Sequence, residues 1–208
     1  MIPRLSKDRV VVVLAAVVVL GLLAFIGRGK VSLDTTTLLG GGCTLPARIT
    51  AVPGSAGAAP DGGGVRIAEQ AAGVAVLENT SAQVAHRIAV TSGPRTVEVP
   101  LLTPGERIGV VLDRPVLGPV TWLTPESLGG FTPVTATVVP GGVRYHSANC
   151  RALTSRGAAV VHRDATGRIT GGEQLPAASV SCAVGEKELP AALVPGTEVY
   201  PYCALGPE

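Results

Sequence analysis

The chain has 208 residues, room for one ordinary domain or two small ones, and its 46% apolar share against 3% aromatics means that any core is built from Val, Ala, Leu and Ile. Charged residues are scarce at 15%, and 27 Gly with 17 Pro stay below the share of a low-complexity chain, which argues against a coiled coil, a collagen-like chain and a disordered tail. The formal charge of +2 divides into +4 over residues 1–30 and −2 over the remainder, so no basic face is left to neutralise phosphates and nucleic acid is not an expected partner.

Residues 1–9 form a short basic head, and Val10–Gly27 is an uninterrupted uncharged run of eighteen residues. As a helix it would span roughly 27 Å, close to the hydrocarbon thickness of a bilayer. The run is longer than the apolar region of most signal peptides, and Gly-Arg-Gly-Lys follows it in place of an Ala-x-Ala cleavage site. The reading is an uncleaved single-pass anchor over 10–27, with a cleaved signal peptide as its rival. A lipoprotein reading of Cys43 fits poorly, because that Cys lies sixteen residues beyond the run. The flanking basic residues give only a slight orientation bias, but the large tail after a nine-residue head places the C-terminal part outside the cell membrane. The four cysteines, Cys43, Cys150, Cys182 and Cys203, all lie beyond the run and form no C-x-x-C pair, as expected for an oxidising compartment.

Residues 28–43 read as a linker rich in Thr and ending in three glycines before Cys43. From 44 to 140 the chain carries short Val- and Thr-rich stretches between Pro-Gly and Gly-Gly signals, the pattern of strands joined by tight turns. Strands are predicted at Ala47–Val52, Gly73–Glu78, Ala85–Thr91, Thr96–Val99, Arg107–Leu112, Val120–Leu123 and Val134–Val139. Seven short strands in such a length match an immunoglobulin-like sandwich. Trp122, the single tryptophan, is expected in its core. Asn79-Thr80-Ser81 matches a glycosylation sequon, which the bacterial reading of the chain makes accidental.

The stretches Val74-Ala75-Val76-Leu77-Glu78-Asn79-Thr80-Ser81, Arg87-Ile88-Ala89-Val90 and Val99-Pro100-Leu101-Leu102-Thr103-Pro104-Gly105-Glu106 resemble the cell-adhesion-related bacterial domain family. The resemblance covers about forty residues and implies an extracytoplasmic Ig-like sandwich; it transfers no site residues. In physical terms, Asn at a strand end can bond the turning backbone, and Pro-Gly fixes the later turn.

Residues 141–205 read as a second, small β-rich module, with one continuous β domain as the alternative. Ala158–Arg163 and Arg168–Thr170 form a predicted hairpin around Asp164–Gly167, and further strands are expected at Ala178–Val184 and Glu198–Tyr202. So small a body has a thin core, and disulfides compensate. A bond between Cys150 and Cys182 would close a loop of about thirty residues around the hairpin and leave Cys43 to pair with Cys203. The competing arrangement joins Cys182 to Cys203 and Cys43 to Cys150.

A search for chemistry yields little. His146, Cys150, Cys182 and Cys203 have the content of a one-His, three-Cys zinc site, but the close Cys pair of such sites is missing, and the disulfide reading is preferred. No nucleophile elbow, P-loop or dinucleotide fingerprint is present. His86 and His162 read as strand residues, His86 facing solvent; Glu186 and Glu188 around Lys187 read as a solvated loop. Tyr200, Pro201 and Tyr202 are the candidates for an exposed apolar contact, although a staple around Cys203 explains them equally. The chain is therefore expected to bind no metal or cofactor and to be no enzyme. The leading reading is a membrane-anchored structural or interaction protein of the bacterial cell envelope whose partner is another envelope protein. The alternatives are a glycan-binding module, for which aromatic platforms are lacking, and an envelope hydrolase.

Overall fold

The computed structural model describes residues 43–56, 63–112, 114, 120–125, 128–194 and 196–206. The expected anchor over 10–27 and the linker up to residue 42 lie outside the described residues. Among the described residues no helix is long and apolar enough to cross a membrane. Residues 43–208 make one compact unit of mainly β structure.

Among the described residues thirteen strands follow in order: β1 Ala51–Ala56, β2 Val65–Ala71, β3 Val74–Asn79, β4 Ala85–Ser92, β5 Arg95–Leu102, β6 Arg107–Val111, β7 Thr121–Pro125, β8 Thr135–Val139, β9 Gly142–Ser147, β10 Thr154–Arg163, β11 Ile169–Leu175, β12 Gly185–Pro190 and β13 Thr197–Ala204. They form four sheets, ordered β1-β7-β4-β5, β2-β3-β6, β11-β10-β13 and β12-β9-β8. All the pairings are antiparallel.

The first two sheets face each other. Ala75 and Leu77 of β3, Ile88 and Val90 of β4, Val99 of β5, Val110 of β6 and Trp122 of β7 share one buried cluster. The chain crosses between these sheets four times, after β1, β3, β5 and β6, so that β3 pairs with β6 while β4 pairs with β7. Val74 and Val76, on the opposite face of β3, pack against Val161 and Ile169 of β10 and β11. The continuous run Val74–Leu77 thus encodes a strand buried on both faces, where alternation would encode a half-buried one. The run Ala158–Val161 does the same in β10: Ala158 and Val160 join a cluster with Val143, Tyr145 and Val199, while Ala159 and Val161 face the other way. The layers therefore stack in the order β4 sheet, β3 sheet, β10 sheet, β9 sheet.

Turn chemistry sets the hairpins. Ala72 and Gly73 both have positive φ, 47° and 74°, the two-residue turn that matches strand twist. Asp164 accepts at one carboxylate oxygen from Thr166 N–H, Thr166 O–H and Arg168 N–H, building the expected Asp-x-x-Gly turn. Asn79 is fully buried: its amide donates to the carbonyls of Gln83 and Leu102 at 2.7 and 2.9 Å, and its Oδ1 accepts from Ser81 N–H and O–H. That amide is occupied by the fold.

Several expected elements differ. The strand expected at Ala47–Val52 begins at Ala51. Strands β2, β9 and β12 were not expected. The segment Ala178–Val184 is not a strand; Ala177–Ser179 is a single 3-10 turn, started by Pro176, whose carbonyl accepts from Ser179 N–H. The division expected at 140–141 falls on the two-residue turn of the β8–β9 hairpin, where Val139 pairs with Gly142. Apolar residues from both sides of that point share two of the buried clusters.

Candidate functional site

The cysteines pair as Cys43–Cys150 and Cys182–Cys203, with Cα–Cα distances of 5.3 and 5.8 Å. This corrects the expectation of Cys150–Cys182 and Cys43–Cys203. The reason lies in the pairing of β10 with β13, which sets Ser155 opposite Cys203, while Leu153 N–H donates to the Cys182 carbonyl. Both bonds bring Cys182 to the end of β13. Cys150 meets the start of the described chain instead, where Arg151 donates to the Pro46 carbonyl. The three cysteines of the one-His, three-Cys set are thus spent in disulfides, and His146 stands exposed on β9 opposite Glu186. Among the described residues no group of three His, Cys, Asp or Glu side chains could hold a metal ion.

The other singled-out residues scatter. His86 is not solvent-facing; it is only 7% exposed. A bulge explains this, because β4 and β7 lose register between His86 and Ala89 and Arg87 takes a left-handed φ of 49°. His86 there lines a 340 Å³ cavity with Arg48, Arg87, Leu101 and Leu205. His162 lies half-buried in β10 with Nδ1 3.2 Å from the Thr197 hydroxyl. Glu186, Lys187 and Glu188 are no loop; they form the middle of edge strand β12. Trp122 is a core residue, and a Cβ on Gly64 would come within 2.8 Å of its ring. Tyr202 is buried, its hydroxyl donating to the Gly109 carbonyl at 2.7 Å, so it offers no exposed contact; Tyr200 is half-buried.

The most organised polar feature escaped the sequence. Arg163 of β10 holds Glu69 of β2 at 2.7 Å and Glu198 of β13 at 3.0 Å. Arg107 of β6 also pairs with Glu69, and the Tyr200 hydroxyl donates to Glu198 at 2.7 Å. Hydrogen bonds from Arg163 and Arg107 hold the Glu69 carboxyl below its usual range. Burial, helped by the Glu198 carboxylate, pushes the Tyr200 phenol up to about 12. Two cations and two anions balance, and they tie the β3 sheet to the β10 sheet. These residues lie up to 129 positions apart, from Glu69 to Glu198, so no spacing announces them.

Beside this network runs a groove of 780 Å³ lined by Ala136–Gly141 on one side and Leu193 and Gly196–Tyr200 on the other. A hollow of 230 Å³ lined by Pro133–Ala136, Val199–Pro201 and Glu106–Ile108 shares Ala136, Val199 and Tyr200 with it. The two together follow β8 along its length. Comparison with protein-family models, with curated protein sequences and with solved structures gives no match for this chain.

Proposed function

We propose that this chain is a membrane-anchored interaction protein of the bacterial cell envelope, non-catalytic, with residues 10–27 as its single span and the β body outside. The observation that carries the reading is the pair of disulfides. Structural disulfides persist in oxidising compartments, and one of these bonds clamps Cys43, at the start of the body, directly after the linker that follows the apolar run. The interlocked β3–β6 and β4–β7 pairs across two facing sheets support an Ig-like sandwich as the first half of that body, in keeping with the resemblance to cell-adhesion-related bacterial domains. A glycan-binding role has less support, because Trp122 and Tyr202 are core residues and form no aromatic platform.

A topology reporter tests this reading. Alkaline phosphatase fused after residue 205 is expected to be active, and a fluorescent protein that matures only in the cytoplasm is expected to stay dark at the same position. The reverse pattern overturns it. In-cell cross-linking from the body is expected to give adducts with membrane or envelope proteins.

A further inference from the structure

We infer that the Cys43–Cys150 bond is a reducible latch: a dithiol reductant opens it while Cys182–Cys203 stays closed, and the opening frees residues 43–50 from the body. The effect on a membrane tether rests on the interaction reading above; which bond opens does not.

The two disulfides differ in access. Cys43 and Cys150 are both exposed. Cys182 and Cys203 are 3% and 6% exposed and share a buried cluster with Val143, Leu153, Val180 and Val199. Exchange requires a thiolate to reach one sulfur of the bond, so access governs its rate. A thiolate of the reductant attacks one sulfur of Cys43–Cys150, the S–S bond breaks, and the other sulfur leaves as a thiolate that takes up a proton. The reductant's second thiolate then attacks the mixed disulfide and releases the second cysteine. Two electrons have passed: the protein holds two thiols and the reductant holds a disulfide. The same attack on Cys182–Cys203 must wait until the core around it opens.

The two sides of the latch are held unequally. Cys150 follows Asn149, whose buried amide donates to the Thr132 carbonyl at 2.8 Å and whose Oδ1 accepts from Thr132 N–H at 2.9 Å. Beyond Cys150, Leu153 N–H donates to the Cys182 carbonyl at 3.0 Å. The Cys150 loop therefore keeps its place without the bond. Residues 43–50 precede β1 and belong to no strand, so no ladder holds them. Besides the disulfide they are held by burial of Leu45, by Ile49 against the same cluster and by Arg151, which donates to the Pro46 carbonyl. Opening moves the point where the linker joins the body from Cys150 to the start of β1. Residues 44–50 then become free chain, which reaches about 23 Å when extended.

The test uses the oxidised full-length chain in detergent with dithiothreitol as the dithiol, timed samples being trapped with iodoacetamide and mapped as peptides. Cys43 and Cys150 are expected to be alkylated at least about tenfold faster than Cys182 and Cys203. In the half-reduced chain, amide exchange is expected to speed up within 43–50 and to stay unchanged in β3 and β10, with native Trp122 fluorescence. The double variant Cys43→Ser, Cys150→Ser is expected to reproduce that exchange pattern without reductant; should it fail to fold, the half-reduced native chain decides. The inference is overturned if both bonds open together, if Cys182–Cys203 opens first, if exchange within 43–50 does not change, or if the half-reduced body loses its native fluorescence. None of these results touches the membrane topology. Fusion reporters that placed the body in the cytoplasm would remove the membrane tether and leave the order of opening standing.

Discussion

At the scale of single residues, the fold depends on backbone positions whose cost differs from their neighbours'. Ala72 holds φ at 47°, a conformation that costs a side-chain-bearing residue on the order of 1–2 kcal/mol. Asn tolerates that region, and Ala72 is exposed, so Ala72→Asn is expected to stabilise by about 0.5–1 kcal/mol. The adjacent Gly73→Ala acts oppositely, because its φ is also positive and its Cβ would lie 2.9 Å from the Leu112 carbonyl. Denaturant midpoints measured on both variants should move in opposite directions. Asn79→Ala removes two donors and an acceptor from a fully buried site and strands the Leu102 carbonyl; a loss of about 2–4 kcal/mol is expected by denaturant unfolding. Glu69 titrates below its ordinary value near 4.5 because Arg163 and Arg107 hold its charged form. Its contribution is thus present above pH 4.5 and is lost as pH falls through the lower, folded value. Glu69→Gln is expected to lower stability at neutral pH and to flatten the fall in stability below pH 4.5, read from denaturant midpoints across that range.

At the scale of elements, legibility followed the pattern of burial. Strands β3 to β6 show apolar runs or alternation bounded by Pro-Gly and Gly-Gly turns, and the sequence places them within a few residues. Strand β12 reads as a loop, because an edge strand with Glu186, Lys187 and Glu188 exposed carries no apolar signal. Strand β9 does alternate, with Val143, Tyr145 and Ser147 inward, but the change in texture at Pro140-Gly141 suggests a boundary where a hairpin turns. The groove and the Arg163 network depend on which strands become neighbours, and no local pattern states that. The same holds for the disulfides. A loop around the β10–β11 hairpin is suggested by the local hairpin alone, whereas the β10–β13 pairing sets Cys203 beside Cys182. Non-reducing peptide mapping of exported protein is expected to yield the Cys43–Cys150 and Cys182–Cys203 fragments. On the chain-entropy scale, loops of 107 and 21 residues stabilise by about 5 and about 3 kcal/mol. The Cys43→Ser, Cys150→Ser pair should therefore lower the melting temperature more than the Cys182→Ser, Cys203→Ser pair.

At the scale of the whole described body, the question is whether two modules or one cooperative unit unfolds. An independent module requires its own core. Here the core of the first half includes Ala159 and Tyr202 from the second, and the core of the second includes Leu45, Leu101 and Val134 from the first. The Arg163 network joins β2 and β6 to β10 and β13, and Cys43–Cys150 spans the expected boundary covalently. Unfolding either half alone would expose the apolar face of the other and leave those ion pairs half-made, so partial unfolding is disfavoured. Natural probes report on each side. Trp122 is the only tryptophan and lies in β7, while Tyr145 and Tyr202 are buried in β9 and β13. Burial raises the phenol pKa of both tyrosines, so they should stay neutral in the folded protein at pH values where exposed tyrosines ionise, and should gain tyrosinate absorbance on unfolding. Denaturant titration of the oxidised chain at about pH 10.5, just above the ordinary phenol pKa of about 10, should therefore give Trp122 fluorescence and tyrosinate absorbance curves that superimpose, as a two-state transition requires. Two separated midpoints, with the tryptophan and tyrosine signals moving independently, would restore the division at residue 140 and place the seam within the β8–β9 hairpin.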